Sequence, residues 1–201
     1  VGSNILIKDK GFDGVVIKLG KNFSNISLLP NKTIIAGSAT LDKKASEFAS
    51  EHDIGGLEFL SCIPGSIGGG IRMNSGCFGT EFKDILLSVQ AIDRDGKVFT
   101  IPSSKIKFEY RANDLPKDLV FLSGSFKGKF EKKNLIKKKI EILKKKKDEA
   151  QPTKIKTGGS TFKNPISQTD KKVWELILSS VPKNTSFGDA SISEKHSNFF
   201  V

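Results

Sequence analysis

From Phe59 to Ile71 the chain carries no charge, and Pro64, Gly65, Gly68, Gly69 and Gly70 all fall inside that stretch. A segment built this way cannot cross a membrane as a helix, which needs roughly 20 unbroken apolar residues. Dense glycine lets backbone approach a ligand closely and take positive φ angles. Successive amide N–H groups in such turns can form a nest for an anion such as a diphosphate. The run Ile63-Pro-Gly-Ser-Ile-Gly-Gly-Gly70 is not a Walker loop, because no Gly-Lys-Ser/Thr follows. Nor is it Gly-x-Gly-x-x-Gly, since the spacing differs and no helix is expected after it. On the glycines alone, a phosphate cradle and a plain bend between strands both stay open.

Around this segment the chain has enough apolar residues, 37 % of 201, for a packed core. Two cysteines, Cys62 and Cys77, exclude a disulfide scaffold and suggest free thiols in the cytoplasm. With only His52 and His196 beside them, no zinc site of about four ligands can be assembled, and no metal is expected. The chain opens on Val1 without a signal peptide and closes on an apolar triplet, so both ends read as cut from something longer.

The excess of 33 basic over 22 acidic residues, a net +11, is concentrated between Lys132 and Lys147. A nucleic-acid patch would interleave aromatics for base stacking, and none stand among these lysines. Ile136, Ile140 and Leu143 instead repeat at i, i+4 and i+7, which predicts a helix over 132–149 with its lysines in solvent. No nucleic acid and no membrane are expected as partners. Oligomeric state is not legible.

Short strands are expected at Ile5–Ile7, 14–19 and 33–36, then a helix capped by Thr40 and stopped by Gly55 and Gly56. Arg94-Asp95-Gly96 between two strand-like runs predicts a tight hairpin, and a further strand is expected at 119–121. A last helix over 171–178 would put Val173, Trp174, Ile177 and Leu178 on one side. Strands and helices mix without βαβ alternation, so the class is α+β.

Few side chains announce chemistry. Arg111, after a strand-like segment, could clamp a carboxylate, though a surface arginine fits as well. Ser160, flanked by Gly158 and Gly159, could present its hydroxyl to a ligand or simply turn the chain. His196 and Glu194 fit an ordinary loop. Gly-x-Ser-x-Gly with histidine and aspartate partners is absent, which excludes a serine hydrolase.

Taken in order, the segments resemble the UDP-N-acetylenolpyruvoylglucosamine reductase family. They are Gly2-Ser-Asn4, Gly11-Phe-Asp-Gly-Val-Val-Ile17, Gly56-Leu-Glu-Phe-Leu60, Ile63–Gly69, Met73-Asn-Ser-Gly76, Tyr110-Arg111, Gln151-Pro152, Gly158–Pro165 and Ser193-Glu-Lys-His196. The last is similar to the shorter, second type of the family, and the resemblance covers essentially the whole chain.

The resemblance implies an FAD-binding domain of the vanillyl-alcohol-oxidase (PCMH) type over 1–130, followed by a connector helix and a smaller α+β substrate-binding domain over 131–201. It implies an NADPH-dependent flavoenzyme that reduces the enolpyruvyl ether of UDP-N-acetylglucosamine enolpyruvate to UDP-N-acetylmuramate in peptidoglycan synthesis. Gly2, Ser3 and Asn4, with Pro64, Gly65, Ser66, Ile67, Gly68 and Gly69, match backbone that wraps FAD. Arg111 matches the active-site arginine and Ser160 the serine that donates a proton. Tyr110, Lys163 and Asn164 match positions beside the UDP-sugar.

The family normally has a strand–helix segment before Gly-Ser-Asn and a C-terminal stretch with a catalytic glutamate. Both are missing here, and Glu194 lies in a different motif. Poor FAD binding or failed turnover by the chain alone is therefore expected. Other flavin oxidases of the superfamily often tether flavin through histidine, and no histidine stands near these glycines.

Overall fold

The computed structural model describes residues 2–183 and 185–201. In chain order its elements are β1 (Ile26–Leu28), β2 (Thr33–Gly37), α1 (Asp42–Glu51), β3 (Ile54–Gly55), α2 (Ile67–Arg72), β4 (Gly76–Cys77), β5 (Thr80–Glu81), α3 (Phe82–Ile85), β6 (Leu86–Ile92), β7 (Val98–Pro102), β8 (Phe108–Glu109), β9 (Ala112–Asn113), β10 (Val120–Lys127), β11 (Lys129–Phe130), α4 (Lys133–Ala150), α5 (Val173–Ser180), β12 (Ser186–Phe187) and β13 (Ala190–Ser191). By contacts the chain divides into two compact units. One comprises 16–144, and the other joins 2–15 to 145–201.

The larger unit is built on a five-stranded antiparallel sheet in the order β1-β2-β10-β6-β7. The expected hairpin is its β6–β7 edge. Gly96 takes φ +81°, and Asp93 Oδ1 accepts the amides of Asp95 and Lys97 at 3.0 and 2.9 Å. The core lies between this sheet and α1, α2 and α3, where Ile34, Ala45, Ile67, Ile71 and Phe82 are fully buried. Phe82 sits edge-on to Phe59 and Phe126, with ring centroids 6.2 and 5.8 Å away.

Several local expectations differ from the structure. Ile5–Ile7 and 14–19 are not strands. They pair with no strand among the described residues, and Leu6 and Val15 are exposed. A strand exists only through its partners, so an apolar run alone does not make one. Thr40 does not cap α1. Leu41 occupies that position, while the Thr40 hydroxyl is buried without a partner. The helix ends at His52 and turns through Asp53 at φ +56°, ahead of the glycines.

In α4, Ile136 and Ile140 are buried and Leu143 only half so. Lys139 is not merely solvated, since it pairs with Glu131 at 2.5 Å and Glu58 at 3.8 Å. In α5 only Val173 is buried. Trp174 and Leu178 are exposed, so the expected apolar side is not a covered face. No described helix is long and apolar enough to cross a membrane.

Candidate active site

The glycine-rich segment contains a helix, α2, where none was expected. Three glycines in six residues cost roughly 1 kcal/mol each relative to alanine, and packing offsets that. A Cβ on Gly70 would meet the Phe82 ring at 2.2 Å, and one on Gly68 would meet Ser38 Cβ at 2.9 Å. Neither glycine takes a positive φ, so close packing is what requires them.

The amides of Ile67 and Gly68 are donated to Thr40 O at 2.9 Å and Ser38 O at 3.0 Å. Those two amides are thus taken up within the unit. Gly69 differs: it is exposed, and a Cβ there would meet nothing nearer than Ser66 Oγ at 3.7 Å. Backbone at Gly69 is therefore open to a ligand such as an FAD group, whereas a Cβ at the neighbouring Gly65 would meet Asp42.

Beneath this segment lies Asp42, at 0 % exposure, with both carboxyl oxygens unpartnered. Its Oδ2 is 2.7 Å from where a Gly65 Cβ would be. Burial pushes its pKa up to about 8, so the group is largely protonated at neutral pH. Ser46 and Ser50 follow at successive turns of α1, also buried and unpartnered.

At its C-terminal end α2 is tied to the hairpin that carries Arg111. Asn113 Nδ2 donates to Ile71 O and Arg72 O, each at 2.9 Å. Arg111 sits with Tyr110 in the two-residue turn between β8 and β9, at φ +57°. Its Nη2 donates to Gly76 O at 2.8 Å and its Nη1 to Asn74 O at 3.2 Å, with Glu81 Oε1 at 3.4 Å. The guanidinium carbon is 5.0 Å from the Tyr110 ring centroid.

Asn74, fully buried at φ +40°, and Phe78, at φ +52° in the β4–β5 turn, are strained as well. Three non-glycine residues with positive φ in one hairpin cluster is the kind of stored strain found at functional sites. Sequence reading quoted Asn74 only inside a motif and passed over Phe78, Glu81 and Asn113. Only the motif Met73-Asn-Ser-Gly76 could have signalled any of them.

In the other unit, Ser160 is exposed in the loop after Gly159, which takes φ +88°. Asn198 holds that loop from both sides. Its Oδ1 accepts Phe162 N at 3.0 Å, its Nδ2 donates to Phe162 O at 2.9 Å, and its carbonyl accepts Thr161 N at 2.9 Å. Asn164 Oδ1 accepts Val173 N at 3.0 Å, fixing the start of α5, a structural duty no local pattern announces. Lys163 is exposed.

His196 lies 4.8 Å from Phe199 between ring centroids, and burial pushes its pKa down. Gly2-Ser3-Asn4 forms an exposed turn with Gly2 at φ +84°. Among the described residues, no group of three or more His, Cys, Asp or Glu is placed to hold a metal.

Among the cavities of the described residues are two of about 590 and 600 Å³. One is lined by Phe59, Cys77, Phe78 and Lys139, the other by Pro152, Ser193, Glu194 and Lys195. None of the Arg111, Ser160 or Gly69 groups lines either.

Residues 1–102, which include most of the sheet and the helices packed on it, match the FAD binding domain family, so the class is that of an FAD-binding flavoprotein. Residues 151–201 match the C-terminal domain of UDP-N-acetylenolpyruvoylglucosamine reductase. The chain belongs to the UDP-N-acetylenolpyruvoylglucosamine reductase family. It is 69 % identical over 200 residues to that reductase from Pelagibacter ubique (strain HTCC1062). It is 46 % identical over 201 residues to the one from Rickettsia conorii (strain ATCC VR-613 / Malish 7). All of the chain is covered in both, and it spans 66 % of the length of each relative. The crystal structure of the reductase from Thermus caldophilus superposes with a TM-score of 0.87 at 32 % identity, covering 100 % of this chain and 71 % of that one.

The packing around α2 separates folding from cofactor binding. Gly70→Ala drives a methyl into the buried Phe82 ring and should lower stability by roughly 1–3 kcal/mol. Gly69→Val meets open space, so it should melt near the parent temperature yet hold FAD at least about tenfold more weakly, a loss of roughly 1.4 kcal/mol. Thermal melts and flavin titration check both. Unchanged flavin affinity in Gly69→Val removes α2 from the cofactor site.

Proposed function

We propose that the protein acts in the cytoplasm as an NADPH-dependent reductase, converting UDP-N-acetylglucosamine enolpyruvate to UDP-N-acetylmuramate for peptidoglycan synthesis. FAD, when bound, would supply the redox chemistry, a hydride that originates in NADPH and ends on the enolpyruvyl methylene carbon. Backbone at Gly65, Ser66 and Gly69, with the turn Gly2-Ser3-Asn4, holds that cofactor. Arg111 faces the substrate carboxylate and stabilises negative charge as it develops on the adjacent carbon. Ser160 delivers the proton that completes addition across the double bond. Tyr110, Lys163 and Asn164 flank the nucleotide sugar.

The observation that carries this reading is the pre-set guanidinium of Arg111. It is held by two carbonyls and a carboxylate in a strained turn, as a fixed charge for an anionic transition state must be. The 69 % identity across the chain to the Pelagibacter reductase supports it.

The test is a pair of anaerobic half-reactions on the full-length flavoprotein. NADPH should bleach the flavin, and UDP-N-acetylglucosamine enolpyruvate should restore its colour while forming the lactyl ether. A flavoprotein that NADPH reduces but this substrate does not reoxidise would sink the assignment.

A further inference from the structure

We propose that Glu81, fixed by Asn74, is a positioning residue for Arg111. This rests on the reading that Arg111 meets the substrate carboxylate. Arginine carries five donors on a long flexible stem, so a guanidinium that must already point at developing charge needs restraint. Of the ties described for it, those to Asn74 O and Gly76 O are to neutral carbonyls. The tie to Glu81 Oε1, at 3.4 Å, is to a carboxylate. The carbonyls aim the fork, and the carboxylate adds an electrostatic hold in a half-buried place where charges are less screened.

Glu81 is itself over-determined. Its Oε2 accepts Asn74 Nδ2 at 3.0 Å and lies 3.0 Å from Lys83 Nζ. This contact holds the Lys83 pKa above its ordinary value. The backbone amide of Glu81 is bound by Asp84 Oδ2 at 2.8 Å. Pairing of Glu81 with Gly76 across β4 and β5 places the carboxylate and the Gly76 carbonyl together. The turn that sets this register passes through Phe78 and Gly79, at φ +52° and +85°.

Asn74 ties the pieces into one body. Besides Glu81, its Nδ2 donates to Glu109 O at 3.0 Å on the strand leading to Arg111. Its Oδ1 accepts Lys83 N at 3.1 Å. The arginine hairpin and the acidic hairpin are thus cross-braced through one fully buried amide. A glutamate present only to hold a loop would not need its second oxygen on the active-site arginine.

Glu81→Gln removes the charge and keeps the shape. In the full-length holoenzyme it should retain flavin and be reduced by NADPH within about twofold of the parent rate. Reoxidation by UDP-N-acetylglucosamine enolpyruvate should slow roughly 10- to 100-fold, the scale of one charge-assisted hydrogen bond. The loss should fall on kcat rather than KM. In an Arg111→Lys background the same change should cost no more than about threefold, because the two act as a unit.

If Glu81→Gln reoxidises at the parent rate while Arg111→Lys is slow, Glu81 has no positioning role and the reading of Arg111 stands. If Arg111→Lys itself reoxidises at the parent rate, the reading of Arg111 falls first. Should Glu81→Gln lose its flavin, Glu81→Asp carries the test. Shortening the side chain by one methylene withdraws the carboxylate from Arg111, and a parent-like rate there overturns the proposal.

Discussion

Ser160→Ala is expected to slow reoxidation of the flavin by UDP-N-acetylglucosamine enolpyruvate roughly 10²–10⁴-fold, the usual contribution of a positioned general acid. Reduction by NADPH should stay near the parent rate. The asymmetry follows from the proposed roles. Hydride transfer from the nicotinamide requires no proton at the enolpyruvyl carbon, whereas completing the addition does. The loop around Ser160 is braced through backbone by Asn198, so removing one exposed hydroxyl does not unfold it, and substrate affinity is expected to persist. Stopped-flow absorbance of the two half-reactions decides the matter. Equal reoxidation rates would make Ser160 a turn residue. A defect confined to the NADPH step would place it in the wrong half of the cycle.

The second large effect is on stability. Asp42 is fully buried without a partner, and its pKa is raised from 3.8 to about 8. The unfolded chain therefore loses this proton from about pH 4 upward, while the folded chain keeps it until about pH 8. With the folded state binding more protons in that window, stability must fall as pH rises through it. The slope approaches about 1.4 kcal/mol per pH unit.

Asp42→Asn abolishes this linkage. Between pH 5 and 7 the parent should lose about 2–3 kcal/mol relative to the variant, measured by urea unfolding at each pH. Parallel pH dependences in the two proteins would mean that Asp42 is ionised and paired in solution.

Asp42 and the glycines of α2 mark where sequence reading stops. Patterns that depend on neighbours along the chain were legible. Asp95-Gly96 announced the β6–β7 hairpin because its turn chemistry is local. Ile136 and Ile140 announced α4 because helical periodicity is local too. Arg111 and Ser160 stand out as candidates only through the order of whole segments. As single residues they fit a surface arginine and a turn serine.

Other features needed the folded chain. Ile5–Ile7 looks like a strand in isolation, but a strand requires a partner that no local pattern supplies. The glycines suggested freedom of φ, whereas Gly68 and Gly70 are required by Ser38 and Phe82, which lie far away in sequence. Glu81 reads as one more surface acid. It becomes a partner of Arg111 only because β4–β5 and β8–β9 fold toward one another across Asn74, 30 residues separating the ion pair. By itself the sequence determined the family, the α+β class and the residue types available for chemistry, since these depend on composition, order and short-range period. The tertiary structure alone decided which side chains restrain one another, because contacts between residues distant in sequence arise only when the core closes.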